Sequence, residues 1–173
     1  MKAVSFTGHR PERLGGYDWH HPTNQIVRNW LREVIQRLQK EGYEEFICGG
    51  ALGIDQWAAD IILELGFKLV LAIPYEDYGS NWPDESQKCL VEQKAKANRV
   101  VMVCKGGYFD ENGNPQKWKN FERNKWMSDN SEVVVAVWDG GKEGGTASAV
   151  RNAKKKGQKI IRFNPITKQE EPV

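Results

Sequence analysis

The sequence predicts an α/β three-layer sandwich built on a mostly parallel sheet of about six strands, and three observations predict it. Short β-branched runs alternate with longer segments of helical period from one end of the chain to the other, the pattern of repeated strand–helix units. The runs 100–103 and 133–137 carry no polar alternation, as expected of strands covered on both faces. Two glycine-rich turns, Gly49-Gly50-Ala51-Leu52-Gly53-Ile54-Asp55 and Asp139-Gly140-Gly141-Lys142-Glu143-Gly144-Gly145-Thr146, each follow a strand-like run and each open a helix-like segment.

Strands are expected at 3–6, 45–48, 69–74, 99–104, 132–138 and 159–163. Between the first two, Ile26, Val27, Trp30, Leu31, Val34, Ile35 and Leu38 recur at three- to four-residue steps. That spacing gives a helix with one apolar stripe, capped near Thr23 or Asn24 and ended by Gly42. A second helix carries Ile54, Trp57, Ala58, Ile61, Ile62 and Leu65 on one side and stops at Gly66. A third begins with Asp84 as its N-cap and runs to about Asn98, a fourth covers 116–128, and the last runs over 145–156. Beyond Asn164 the tail reads as an ordered or frayed extension. This arrangement is Rossmann-like, and in such sheets ligands sit beyond the carboxyl ends of the strands.

The 173 residues are enough for one domain with a core and too few for two, so residues 1–173 are expected to form a single domain. The charged fraction of 28% and hydrophobic fraction of 39% are those of an ordinary globular protein, and no apolar run is long enough to span a bilayer. Met1-Lys2-Ala3-Val4-Ser5-Phe6 enters a strand-like run directly, without a secretory pattern, so a cytoplasmic location is expected. Cys48, Cys89 and Cys104 are an odd number without a CxxC pair, which suggests neither a disulfide framework nor a zinc site. No metal or cofactor is expected. A net charge of +2 is too small for a DNA-coating surface, and the one basic cluster, Lys154-Lys155-Lys156, sits where it complements a helix dipole.

Chemistry concentrates at the strand ends. A helix N-terminus exposes unpaired N–H groups at the positive end of its dipole, and glycine lets an anion approach them. Gly49, Gly50 and Gly53 do not fit the dinucleotide GxGxxG pattern, and no GK[ST] triplet forms a nucleoside-triphosphate loop. The turn either cradles phosphate or serves only a tight change of direction. Asp55, in the first helical turn, accepts backbone N–H bonds or meets a ligand hydroxyl. After the first strand come Thr7, Gly8, His9 and Arg10; Pro11 keeps Arg10 extended on a stiff loop, where arginine suits a phosphate. His9 either bonds a ligand or pins the loop. Asp18, His20 and His21 read as a solvated loop. Arg123 and Asn124 lie on the helix before the fifth strand, Arg123 facing either a second phosphate or a surface partner such as Glu122 or Asp129. Asp139 ends the fifth strand in a position to accept ribose hydroxyls, beside Gly144, Gly145 and Thr146. Tyr75, Tyr78 and Trp82 either stack on a base or pack internally.

Thr7-Gly8-His9-Arg10-Pro11, the Gly49–Asp55 turn, Arg123-Asn124-Lys125-Trp126-Met127 and Gly144-Gly145-Thr146 together resemble the SLOG superfamily, nearest its YpsA-like branch. The resemblance extends from Thr7 to about Ala153. It implies a nucleotide or nucleotide-derived ligand, held by phosphate sites at the two glycine turns with Arg10 and Arg123 as counter-charges, in a binding or sensing module. Two groups within the superfamily imply alternatives. The Lonely Guy enzymes split nucleoside monophosphates with an arginine in an RKxxM helix and a glutamate in a GGxGTxxE turn. Here Arg123 and Met127 match the first, while Ala149 stands where the glutamate is expected, leaving Arg123, with Glu76 or Asp139 as substitute acids, for any catalysis. The DNA-processing Smf/DprA proteins use a similar turn for single-stranded DNA, which implies a second alternative. Nucleotide, phosphosugar and, less favoured, nucleic acid are thus the expected partners, a homo-oligomer is compatible with the sequence, and no membrane is expected.

Overall fold

A computed structural model describes residues 2–173 of the chain. In chain order its elements are β1 (Ala3–Gly8), a 3-10 turn (Pro11–Arg13), α1 (Pro22–Lys40), β2 (Glu45–Cys48), α2 (Ile54–Glu64), β3 (Lys68–Ile73), α3 (Asp84–Lys96), β4 (Arg99–Met102), α4 (Trp118–Asp129), β5 (Val133–Val137), α5 (Gly145–Lys155), β6 (Lys159–Asn164) and β7 (Gln169–Glu171). The strands form one sheet in the order β4-β3-β2-β1-β5-β6-β7, parallel except for β7, which runs antiparallel to β6. The expected α/β, Rossmann-like sandwich is therefore the fold, with one strand more than expected: the tail after Asn164 turns back and pairs.

β1 lies at the centre, with Val4 in register with Phe46 on one side and Val133 on the other. α1, α2 and α3 cover one face, where Val27, Leu31, Ile35, Ile54, Ile62 and Leu90 pack on Phe6, Phe46, Leu71 and Val135. α4 and α5 cover the other, where Met127 meets Ala3, Ile47, Val70 and Ala72. From β1 the chain moves outward to β2, β3 and β4, then crosses to β5 on the opposite side of β1. That reversal opens a crevice beyond the carboxyl ends of β1 and β5.

Three local expectations give way. α1 begins earlier than a cap at Thr23 or Asn24 allows: Pro22 occupies its first position, where its missing N–H costs nothing, and the His21 ring accepts from Thr23 N at 3.2 Å. Asn24 is instead buried, with its amide bonding Gly15, Gly16 and Asp18. α3 has Pro83 as its N-cap, leaving Asp84 to act through the dipole in the first turn. The run 100–103 is not covered on both faces, because β4 is an edge strand with Val100 and Met102 exposed at 40% and 42%.

The tail is tied to α1 by Glu170, which accepts from Trp30 Nε1 at 2.9 Å and from Arg37 Nη2, while Trp30 stacks on Phe163 at 4.8 Å. Ending the chain at Asn164 leaves both donors without this acceptor. Urea denaturation of the truncated protein is expected to show a loss of about 1–3 kcal/mol, the cost of unmaking charge-assisted hydrogen bonds.

Candidate functional site

A cavity of about 700 Å³ occupies the crevice at the ends of β1 and β5. It is lined by Thr7, Gly8, His9 and Arg10 from the loop after β1, by Ala51 and Asp55 at the start of α2, by Arg123 and Asn124 on α4, and by Gly144, Gly145 and Thr146 at the start of α5. All of these except Ala51 are site residues expected from the sequence, and they share one chamber. Gly49, Gly50, Gly53, Asp139 and Glu76 do not line it.

The two glycine turns differ physically. In the first, each glycine makes room for protein. A Cβ at Gly49 would lie 2.8 Å from Arg123 Nη1 and 2.9 Å from Asp55 Oδ2, and one at Gly53, where φ is +86°, would lie 2.6 Å from the His9 carbonyl oxygen. The Asp55 carboxylate accepts from Ala51 N at 3.3 Å, and Gln56 N donates back to Ala51 O at 3.2 Å. The Asp55 carboxylate thus takes up the Ala51 N–H of this turn from within the protein. In the second turn Gly144 caps α5 without any side-chain bond, and the first intrahelical donor is Ser148 N, to Gly144 O at 3.1 Å. The N–H groups of Gly145 and Thr146 therefore have no helical acceptor, and both residues line the cavity. A Cβ at Gly145 would meet nothing within 4 Å, so neither packing nor backbone conformation demands a glycine there.

Arg123 is buried and already engaged. Its Nη1 donates to the Gly49 carbonyl, its Nε donates to Asn124 Oδ1 at 2.8 Å, and its guanidinium carbon lies 5.5 Å from the Tyr78 ring centre. It joins α4 to the end of β2 rather than to Glu122 or Asp129. Burial raises the Asp55 carboxyl above its ordinary range, against the pull of Arg123 and of the Ala51 N–H. Arg10 lines the cavity, is exposed, and has no ion-pair partner among the described residues.

His9 and Asp139 pin the loop. His9 Nε2 accepts from Asp139 N at 3.1 Å, which places the proton of the neutral ring on Nδ1. Burial lowers the His9 pKa, opposed by the nearby Asp139 carboxylate and reinforced by Arg13. Burial works against Asp139 ionisation, yet the Gly141 N–H at 2.9 Å, His9 and Arg13 at 2.8 Å together hold its carboxyl below the usual range. Asp139 is thus spent on the loop. Tyr75, Tyr78 and Trp82 form an internal cluster, with Tyr75–Tyr78 and Tyr78–Trp82 ring centres 5.2 and 4.9 Å apart, and none lines the chamber.

Residues on the wall that the sequence reading missed include Tyr108, Lys117, Asn120 and Phe121, together with Glu12 and Arg13. Phe121 and Asn120 sit one helical turn from Asn124, so the helical period carried a signal for them; Tyr108 belongs to a loop with none. Ala149 lines the chamber, and the carboxylates that reach it are Glu12, Asp55 and Glu143. Among the described residues no group of three or more His, Cys, Asp or Glu is placed to hold a metal, and no helix is long and apolar enough to cross a membrane.

A mostly parallel sheet with a chamber at its reversal point, lined by the start of α5, defines a Rossmann-like protein with a cavity at its strand ends. The chain matches the YpsA family model, described as the YspA SLOG family, over residues 4–170, and it belongs to that family. It is 27% identical over 163 residues to a UPF0398 protein of Bacillus cereus (strain B4264), covering 91% of this chain and 85% of that one. Among solved structures it is similar in fold to DNA processing protein A from Streptococcus pneumoniae, with a TM-score of 0.65 at 18% identity, covering 95% of this chain and 50% of that one, so it spans half the length of that protein. The DNA processing protein A of Helicobacter pylori, whose structure is described for its single-stranded DNA binding mode, gives a TM-score of 0.61 at 21% identity over 94% and 65% of the two chains. The molybdenum cofactor carrier protein of Chlamydomonas reinhardtii gives 0.54 at 18% identity over 94% and 77%.

Two predictions come from this packing. Gly53→Ala forces a side chain into a backbone conformation reserved for glycine and against the His9 carbonyl, so it is expected to lower stability by about 2 kcal/mol or more, whereas Gly42→Ala, in open space, loses about 1 kcal/mol. Denaturant midpoints compare the two. For His9, the folded state keeps the ring neutral to lower pH than the unfolded chain, whose value is near 6.5, so below that pH the unfolded chain binds more protons. Stability from this group is complete above about pH 7 and falls as pH drops toward about 5, and His9→Gln should flatten that slope in denaturation series taken across the range.

Proposed function

We propose that the protein binds a nucleotide or nucleotide-derived ligand in the cavity between β1 and β5, with one phosphate at the N-terminus of α5. The observation that carries this reading is the unfilled turn at Gly144-Gly145-Thr146, whose free N–H groups open on a chamber of ligand size. Arg10, exposed, lining the same cavity and free of ion pairs among the described residues, is the counter-charge. Arg123 acts at a distance from the anion, fixing α4 and keeping Asp55 in place for a hydroxyl. Tyr108 and Phe121, with the amides of Asn120 and Asn124, give the chamber an aromatic wall and base-edge donors. We favour the α5 turn over the α2 turn for the phosphate, since Asp55 already accepts from Ala51 N and the His9 carbonyl lies close to Gly53.

A second reading, single-stranded nucleic acid, is favoured by Trp118 and Phe121, which are 52% and 62% exposed near the mouth beside Lys117, and by the single-stranded DNA binding of the Helicobacter pylori protein of similar fold. Hydrolysis in the manner of the Lonely Guy enzymes has less support, as Ala149 brings no carboxylate and neither Glu76 nor Asp139 reaches the chamber.

Isothermal titration with AMP, ADP, ADP-ribose and inorganic phosphate tests the reading. At least one nucleotide should bind, Arg10→Ala should weaken it about tenfold, as one charge-assisted contact does, and Gly145→Ala should weaken it as much with no loss of stability. Unchanged affinity in both variants would overturn the assigned anion site. Free base in the mixture by chromatography would establish hydrolysis, and tight, steeply salt-dependent binding of a labelled oligonucleotide without nucleotide binding would establish the second reading.

A further inference from the structure

The two edges of the sheet are built differently. β7 is three residues of Gln169-Glu170-Glu171, a short and charged edge of the kind that resists pairing with another chain. β4 carries no such protection. Its outer backbone groups have no strand partner among the described residues, and its one charged residue, the half-exposed Arg99, is paired with Glu45 at 3.6 Å and lies 5.8 Å from the Trp126 ring. The apolar face of the sheet continues onto it: Leu71 and Ile73, wholly buried, are in register with Val100 and Met102, which are not.

α3 carries a matching surface. α2 lies over β1, β2 and β3, and α3 packs on its outer side, burying Leu90 and Gln93 toward α2 and the core. Its opposite face, with Val91 65% exposed, is turned away from α2 and the core. Along that face Asp84, Lys88, Glu92 and Lys96 stand at four-residue steps, and none is in an ion pair among the described residues. The alternation of negative and positive charge inverts when the helix is read backwards. An antiparallel copy therefore brings Asp84 to Lys96 and Lys88 to Glu92, each pair formed twice by symmetry.

We propose that this face is the interface of a two-fold homodimer, with β4 pairing antiparallel to the β4 of a second copy and α3 packing antiparallel to its counterpart beside it. Strand pairing sets the two edges about 4.8 Å apart, and helices standing over the outer strands then meet at about the 8–10 Å of ordinary helix packing. The assignment stands apart from the ligand reading, since none of these residues lines the cavity.

Sedimentation equilibrium of the full chain tests it. The wild type should sediment as a dimer, K88E and E92K should each weaken association by about tenfold or more through two like-charge contacts, and the K88E/E92K double variant should restore it. Met102→Lys, which puts a charge on the edge, should give a monomer. Both single reversals are at solvent-facing helical positions, so folding survives them and circular dichroism should be unchanged. A monomer at all concentrations, or a dimer indifferent to K88E, E92K and Met102→Lys, would overturn the interface.

Discussion

The buried Arg123 guanidinium, bonded to the Gly49 carbonyl and set beside the Asp55 carboxyl, is the interaction on which the cavity depends. A charge taken out of water is tolerated only when its partners are fixed, and here they are the end of one strand and the first turn of the following helix. The same contact holds α4 against the sheet from the opposite face. Without it, the floor of the chamber and the helix that carries Phe121 and Asn124 would have no common anchor. The absence of a Cβ at Gly49 is what lets the guanidinium reach that carbonyl.

From this follows a division of labour between two turns that look alike in sequence. One is used for the protein's own cohesion: Gly53 admits the His9–Arg10 backbone, Gly50 lies close to Ile73 and Leu90, and Asp55 accepts from the Ala51 N–H. The other is left open, with glycine at a position where nothing in the protein requires it. Composition alone does not separate them, because glycine serves close backbone packing and close ligand approach equally well.

The α/β class, the six parallel strands and the apolar stripes of α1 and α2 were legible because periodicity encodes which face is buried, as Val27, Leu31, Val34 and Leu38 show. What depended on strand order was not. The run at β4 has the composition of an interior strand, and only the sheet topology makes it an edge. The α1 cap was readable from Pro22 but was obscured by two good capping residues just after it, one of which, Asn24, serves the preceding loop instead. In the site, motifs located the loops, while the wall residue Tyr108 came from a segment whose conformation is set by contacts distant in the chain. His9, left open between two roles, is a loop pin whose ring also borders the chamber.

The central place of β1 has a consequence for how the chain is assembled. Ala3 N donates to Glu132, 129 residues away, and β1 is flanked on its second side only by β5. During synthesis β1 emerges well before β5, so one of its edges stays unpaired until β5 has followed. The pairing that completes the sheet is thus a long-range step, of the kind that slows folding.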